Sequence, residues 1–490
     1  MTSSVAKNTL YLTIASVGQK TLAFVYFIYL ARVMQPESTG IYFLAISIST
    51  IFSVVADFGV TPVVIREIAK VPEKALSLTR SALGVKLPFL LLGIICANTA
   101  AWLLQYDPVV QQLVFLASIV MALDSIHLLY YGVLRGHQTL RFESLGIFMG
   151  MLLTVLFGGT VLLFDPGLTL LVSALLIGSS FNFLFSTKQV TRLLGITALI
   201  PVWDSKKVKS LLAIALPFFL AGVFVKVYSH VDTLFLSKMI GNEAVGLYSI
   251  PYKITYAFQF LPMAFAAALY PGLSRLVKND QQALARMFND SMWYMALLSA
   301  PIVFGIWAIA PDVVLLAGEN YAASGAVLAT LIFVLLPIFL DFPIGSLLNA
   351  ADRQSTKTVI MGITMIINIT LNVLFIPEFG VIGAAYSALG SFCFLFFAGL
   401  YFVPQIVSGY KISGLFRVVL PIFFSGAVMG LIAFSLRPII GFILVIPIAA
   451  IVYVGMLLTT RSIRVTHLSK ALQLFSRKPD LYATTPTHDD

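Results

Sequence analysis

The sequence predicts an all-α polytopic membrane protein with about 14 transmembrane helices. They form two six-helix lobes, related by a parallel pseudo-two-fold repeat, followed by two C-terminal helices. Three observations predict this. Of 490 residues, 59% are hydrophobic and only 11% charged, with a mean hydropathy of +0.97, whereas soluble domains carry roughly 25% charged residues. Polar breaks divide the chain into apolar runs near the roughly 20 residues a helix needs to cross a bilayer. The two halves of the chain also match each other at an offset near 206 residues.

In order, the runs fall near residues 10–31, 40–62, 84–105, 110–134, 143–164 and 167–187, then 211–236, 246–271, 290–310, 325–350, 358–376, 380–405, 416–436 and 439–460. The stretches at Pro262/Pro271 and Pro337/Pro343 are expected to kink or split into half-helices. No small-residue cleavage site follows the first run, which reads as a retained helix and not a signal peptide. The expected organisation is an N-lobe over 1–187, a linker over 188–210, a C-lobe over 211–406, two helices over 407–460 and a basic tail over 461–490. No room remains for a sizeable soluble domain.

Charge placement orients this plan. With the N-terminus inside, 25 of the 31 Lys and Arg residues fall on the cytoplasmic side, from Lys7 through Arg135, Lys207, Arg275 and Arg353 to Arg464, Lys470, Arg477 and Lys478. The opposite side holds only Arg32, Lys238 and Arg437, with the acids Glu37, Asp107, Asp165, Glu243, Asp312, Glu319 and Glu378. Lys and Arg concentrate on the cytoplasmic side of membrane proteins, so both termini are expected in the cytoplasm and the protein in the cell (inner) membrane. The net charge of +10 is then a matter of topology, and nucleic acid is not an expected partner. Cys96 and Cys393 lie in apolar runs, so neither a disulfide framework nor a metal site is indicated, and no cofactor is expected.

The repeat aligns Leu30, Arg32, Glu37, Gly40 and Tyr42 with Leu236, Lys238, Glu243, Gly246 and Tyr248, and Lys20 with Lys226. Nearby offsets match Gln138-Thr139-Leu140-Arg141 to Gln354-Ser355-Thr356-Lys357, and Leu163-Phe164-Asp165-Pro166 to Leu374-Phe375-Ile376-Pro377. An even number of spans returns the chain to its starting side, so the repeat is parallel, and transporters built this way hold substrate between their halves.

Three short motifs stand beside the repeat: Arg32 to Tyr42 with Glu37 and Gly40, Asp57-Phe58-Gly59 followed by Arg66-Glu67, and Leu134-Arg135-Gly136-His137-Gln138. On these the chain resembles the multidrug/oligosaccharidyl-lipid/polysaccharide exporter superfamily. Within it, the chain is similar to the polysaccharide repeat-unit flippases, also called O-antigen or lipid-linked oligosaccharide flippases. The resemblance implies a V-shaped pair of lobes around a cavity that opens alternately to each side. It also implies a lipid-linked oligosaccharide substrate, contact with membrane lipids, a polysaccharide polymerase and glycosyltransferases as partners, and a functional monomer.

A charge at mid-membrane costs about 2.5–3.5 kcal/mol, so those inside the runs are candidate functional groups: Lys20, Lys226, Lys253, Asp57, Asp124, Asp232 and Asp341. The repeat places Lys20 and Lys226 at equivalent depth on opposite walls of one cavity, where two ammonium groups suit a polyprenyl pyrophosphate. The alternative is that Lys226 pairs with Asp232. Tyr248, Tyr252, Tyr256 and Gln259 share a helical face around Lys253; Tyr252, Tyr256 and Gln259 are candidate sugar contacts, and Tyr248 is assigned to the interfacial aromatic belt. Asp57 is expected to pair with Arg66 or Lys86 as an inner gate, with helix packing as its other reading. Asp124 and His127, with Tyr131 on the same face, form a candidate ion-coupling site or a buried hydrogen-bond network. Asp341 between two prolines is a further coupling candidate.

No nucleophile elbow, phosphate loop or metal-ligand cluster is present in the sequence, so the expected function is not enzymatic. A membrane glycan-processing enzyme is disfavoured by the absence of a long external loop. Two transport readings stand behind the oligosaccharide flippase: a lipid-linked peptidoglycan precursor flippase, and an ion-coupled drug exporter, whose cationic substrates want an acidic cavity.

Overall fold

The computed structural model describes residues 2–164 and 166–463, with side chains from residue 15 onward. Asp165, the Lys7 side chain and Arg464, Lys470, Arg477 and Lys478 of the expected tail lie outside the described residues. The N-lobe comprises α1 (Thr2–Val33), α2 (Pro36–Asp57), α3 (Val60–Lys70), α4 (Ala75–Leu103), α5 (Pro108–Gly136), α6 (Leu140–Phe164) and α7 (Leu168–Leu194). The C-lobe comprises α8 (Ser205–Met239), α9 (Asn242–Ala257), α10 (Phe260–Asn279), α11 (Gln281–Val314), α12 (Ser324–Leu331), α13 (Leu335–Ala350), α14 (Gln354–Phe379) and α15 (Val381–Phe402). Two helices follow, α16 (Ile412–Ile440) and α17 (Phe442–Thr459).

The protein is a multi-pass membrane protein. Among the described residues, thirteen helical segments, from Pro36–Asp57 to Phe442–Thr459, are long and apolar enough to cross a membrane, and α1 precedes them at the place of the first expected span. Helices dominate because a bilayer offers no water to backbone amides, so each segment must satisfy its own hydrogen bonds.

Three expected spans are interrupted, each for a local reason. The run over 40–62 stops at Asp57, because Phe58 (φ 46°) and Gly59 (φ 67°) take the left-handed conformation before α3 begins. A side chain at Gly59 would also lie 2.6 Å from the Ala215 carbonyl oxygen of α8, so this turn needs glycine twice over. The run over 246–271 is two helices. Pro262 has no N–H for the Phe258 carbonyl four residues earlier, and the Leu261 amide bonds that carbonyl instead at 3.2 Å. Pro337 has the same effect on Phe333, which lies in the 3-10 turn Ile332–Val334 between α12 and α13.

The lobes meet most closely where α2 packs on α9. A Cβ at Gly40 would overlap the Asn242 carbonyl oxygen, and one at Gly246 would overlap that of Pro36. These four positions are related by 206 residues in both directions, so the contact is reciprocal and marks the pseudo-two-fold axis. Small residues let helix backbones approach in this way. Tyr321 donates to Thr39 and Asn320 to Gln35, both at 2.8 Å, extending this seal on the face that carries the acidic turns. Towards the face that carries the basic turns, α10 packs on α11 and α13 of its own lobe, and only Pro262, Leu269 and Leu273 of α10 are buried. The last two helices are appended to α11, held by Tyr453 donating to the Leu297 carbonyl at 3.0 Å and by Arg437 against Asp312 at 3.3 Å.

Candidate functional site

The candidate site lies at the boundary between the lobes, where α1 and α2 meet α8 and α9, with α10 beside them. On α8, Phe219, Gly222, Lys226 and His230 recur at spacings of three and four, which is one helical face. That face looks at the N-lobe: Phe219 stacks on Phe58 at 4.3 Å, and a Cβ at Gly222 would lie 2.7 Å from Val54 of α2. Lys226 therefore projects towards the lobe boundary, half-buried. Asp232 sits on another face, fully buried, accepting from Tyr248 at 2.9 Å and Asn372 at 2.7 Å. The alternative pairing of Lys226 with Asp232 is thus not made.

Lys253 enters from α9. Its ammonium lies 5.1 Å from the Phe27 ring of α1 and 5.5 Å from the Phe43 ring of α2, so it crosses from one lobe to aromatic faces of the other. Lys20 does the reverse, reaching from α1 to 5.6 Å from the Phe260 ring at the start of α10. It is exposed. Among the described residues none of the three lysines has a carboxylate within ion-pair distance. Aromatic ring faces meet two of these charges and no anion neutralises any of them among the described residues.

Tyr252 and Tyr256 line the same wall. Their rings lie 4.4 Å apart, and Tyr252 packs edge-on to Phe43 at 5.4 Å. Gln259 forms the turn between α9 and α10, where the helix break leaves it partly exposed beside Phe260. Tyr248 requires a correction. Expected in the interfacial belt, it is fully buried and bonded to Asp232, because α2 covers this end of α9.

The expected gate residues divide. Asp57 does pair with Lys86, at 2.5 Å, and Thr61 bonds both, but all three belong to the N-lobe, so the pair fastens α2, α3 and α4 and does not bridge the lobes. Arg66 is elsewhere. It sits on the exposed face of α3 and bonds Glu67 at 3.0 Å. The coupling candidates are also split between lobes: Asp124 accepts from Ser179 at 2.6 Å and lies 3.5 Å from His127, while Asp341 in the C-lobe is held by Lys357 at 2.6 and 2.7 Å. Lys357 lies in the first turn of α14, which begins at Gln354, with its side chain turned inward to Asp341.

The sequence left His230 without a role; it lies 5.7 Å from the Tyr252 ring, on the face of α8 that carries Lys226. Its spacing of four from Lys226 was the available signal. The sequence likewise left Phe58, sandwiched between Phe89 at 4.1 Å and Phe219, without a role.

Comparison with known proteins places this geometry. The family model described as "Polysaccharide biosynthesis protein" matches residues 5–277. The chain belongs to the polysaccharide biosynthesis protein family. A second model, MatE, matches residues 217–374 of the C-lobe. Two relatives come from Haloferax volcanii: "Probable flippase AglR", 31% identical over 33% of this chain and 35% of its own length, and "Probable low-salt glycan biosynthesis flippase Agl15", 26% identical over 34% and 35%. The chain thus spans about a third of the length of these relatives. A solved structure titled "Lipid II flippase MurJ, inward closed conformation" superposes over 92% of this chain and 99% of its own, with a TM-score of 0.73 and 15% identity. That likeness shows a shared fold, the one the sequence resemblance implied.

Proposed function

We propose that this protein is a flippase that moves a polyprenyl-pyrophosphate-linked oligosaccharide from the cytoplasmic to the outer leaflet by alternating access, for cell-surface polysaccharide biosynthesis. The observation that supports this reading is the set of Lys20, Lys226 and Lys253, contributed by both lobes to the boundary between them and lacking acidic partners among the described residues. Such a set suits a multiply charged anion, with Tyr252, Tyr256 and Gln259 offering aromatic and hydrogen-bonding surface to the sugars. The tail stays in lipid while the head group crosses. A negative-inside potential favours outward transfer of an anion by about 2.3 kcal/mol per charge per 100 mV, so ion coupling through Asp124, His127 or Asp341 is not required.

In this reading the basic face is cytoplasmic and the seal around Gly40 and Gly246 closes the outer side. The protein performs no bond chemistry and functions as a monomer beside polymerase and glycosyltransferases. The cationic cleft sets it against a drug exporter of the same fold, and the Haloferax flippases set it against a peptidoglycan precursor carrier.

The test is transfer of lipid-linked oligosaccharide across vesicle membranes, with protein level measured alongside. Charge-assisted contacts are worth about 1.5–3 kcal/mol each, so Lys20→Ala, Lys226→Ala and Lys253→Ala should each slow transfer by about one to two orders of magnitude. Lys→Arg should keep part of the activity. Because Lys20 and Lys226 act on one head group, their double alanine variant should lose less than the product of the singles. Full transfer by the double variant would remove the head-group assignment.

A further inference from the structure

Outside the cleft, the basic face carries a groove of about 580 Å³ between α3, the first turns of α4 and the first turns of α8. We propose that this groove binds the phosphate of an anionic phospholipid in the leaflet it faces. Its rim holds Lys74, Lys206 and Lys207. All three are exposed, and the closest acid among them is Asp204, 3.8 Å from Lys207. Glu67 also reaches the groove, but Arg66 at 3.0 Å and Lys70 at 3.3 Å offset its charge. The rim is therefore net positive.

Beneath it, the Ser81 hydroxyl opens onto the groove and makes no side-chain hydrogen bond within the described residues. That hydroxyl is free to donate to a lipid phosphate oxygen, a charge-assisted hydrogen bond. Ser210 at the rim is likewise without a protein partner. Deeper in, Val63, Leu78 and Leu211 give an apolar floor suited to the first methylenes of an acyl chain. Cationic rim, free hydroxyl and apolar floor follow the order of a phospholipid from headgroup to chain, which a soluble anion does not use. Because α3 and α4 belong to one lobe and α8 to the other, the lipid touches both.

The experiment is native mass spectrometry of the full-length protein in neutral detergent, titrated with phosphatidylglycerol and, separately, phosphatidylcholine. Wild type should bind one phosphatidylglycerol with a preference of about tenfold or more over phosphatidylcholine, the scale of one charge-assisted contact. Lys74→Gln/Lys206→Gln/Lys207→Gln should abolish that preference, and Ser81→Leu, which fills the floor without changing charge, should weaken binding of both lipids. Lys188→Gln/Arg192→Gln, basic residues of α7 outside the groove, should leave the preference intact. An unchanged preference in the triple variant, an equal loss in the α7 variant, or displacement of phosphatidylglycerol by millimolar inorganic phosphate would each overturn the proposal.

Discussion

At the residue scale, the basic groups inside this membrane protein fall into two kinds. Asp57–Lys86, Asp341–Lys357 and Arg135–Glu143 are each closed within one lobe, whereas Lys20, Lys226 and Lys253 are open. A closed pair whose cation is buried is costly to break from one side. Lys86 is 1% exposed, so Asp57→Asn strands an ammonium in the N-lobe and should cost about 3 kcal/mol of stability. Adding Lys86→Met removes the stranded charge and should restore most of it. Thermal unfolding in detergent checks this order. An Asp57→Asn protein as stable as wild type would leave the pair without structural weight, whereas recovery in the double variant with slow transfer would point back to a gating role. Asp57 was legible as a paired acid from its depth in the sequence. That the pair stays inside one lobe was not, because residue spacing does not say which helices become neighbours.

At the scale of elements, the breaks were more legible than their consequences. Pro262 and Pro337 announce lost hydrogen bonds, and the structure divides the chain four residues earlier in both cases. The break at Phe58–Gly59 was quoted only as part of a family-like motif, yet its left-handed turn puts Phe58 between Phe89 and Phe219 and so joins α2 to α8. The seal between α2 and α9 was half legible: the repeat paired Gly40 with Gly246, but only the fold shows each facing the other lobe's backbone. Because neither position has room for a Cβ, Gly40→Ile and Gly246→Ile should each pry the two helices apart at the acidic face. In a background lacking Cys96 and Cys393, a cysteine at Phe27 should then react faster with a thiol reagent applied from that face, and transfer should fall by about tenfold or more, the equivalent of roughly 1.4 kcal/mol lost from the sealed state. The double variant should do little further harm, since both substitutions disrupt one contact. Unchanged labelling in both singles would place the seal elsewhere, with Tyr321–Thr39 the next contact to test.

For the whole molecule, hydropathy was enough for the helix count, since length and apolarity set it, and the internal repeat was needed for the two lobes; what both left open was which helices face each other across the lobe boundary. Orientation is the remaining global quantity, and it rests on the partition of Lys and Arg between turns. Among the described residues the basic face carries Arg66, Lys70, Lys74, Lys206 and Lys207, and the opposite face carries Glu37, Glu243 and Glu378. With positive charge held inside by the insertion machinery and the membrane potential, the basic face should be cytoplasmic. Single cysteines test it without disturbing the core, because Glu378 and Lys207 are both exposed. In the same cysteine-free background, Glu378→Cys should react with a membrane-impermeant maleimide added to intact cells, and Lys207→Cys only after the membrane is permeabilised. Reversal of the two patterns would invert the molecule, put the Gly40–Gly246 seal on the cytoplasmic side, and leave a cleft whose open mouth faces away from the leaflet where lipid-linked sugars are assembled.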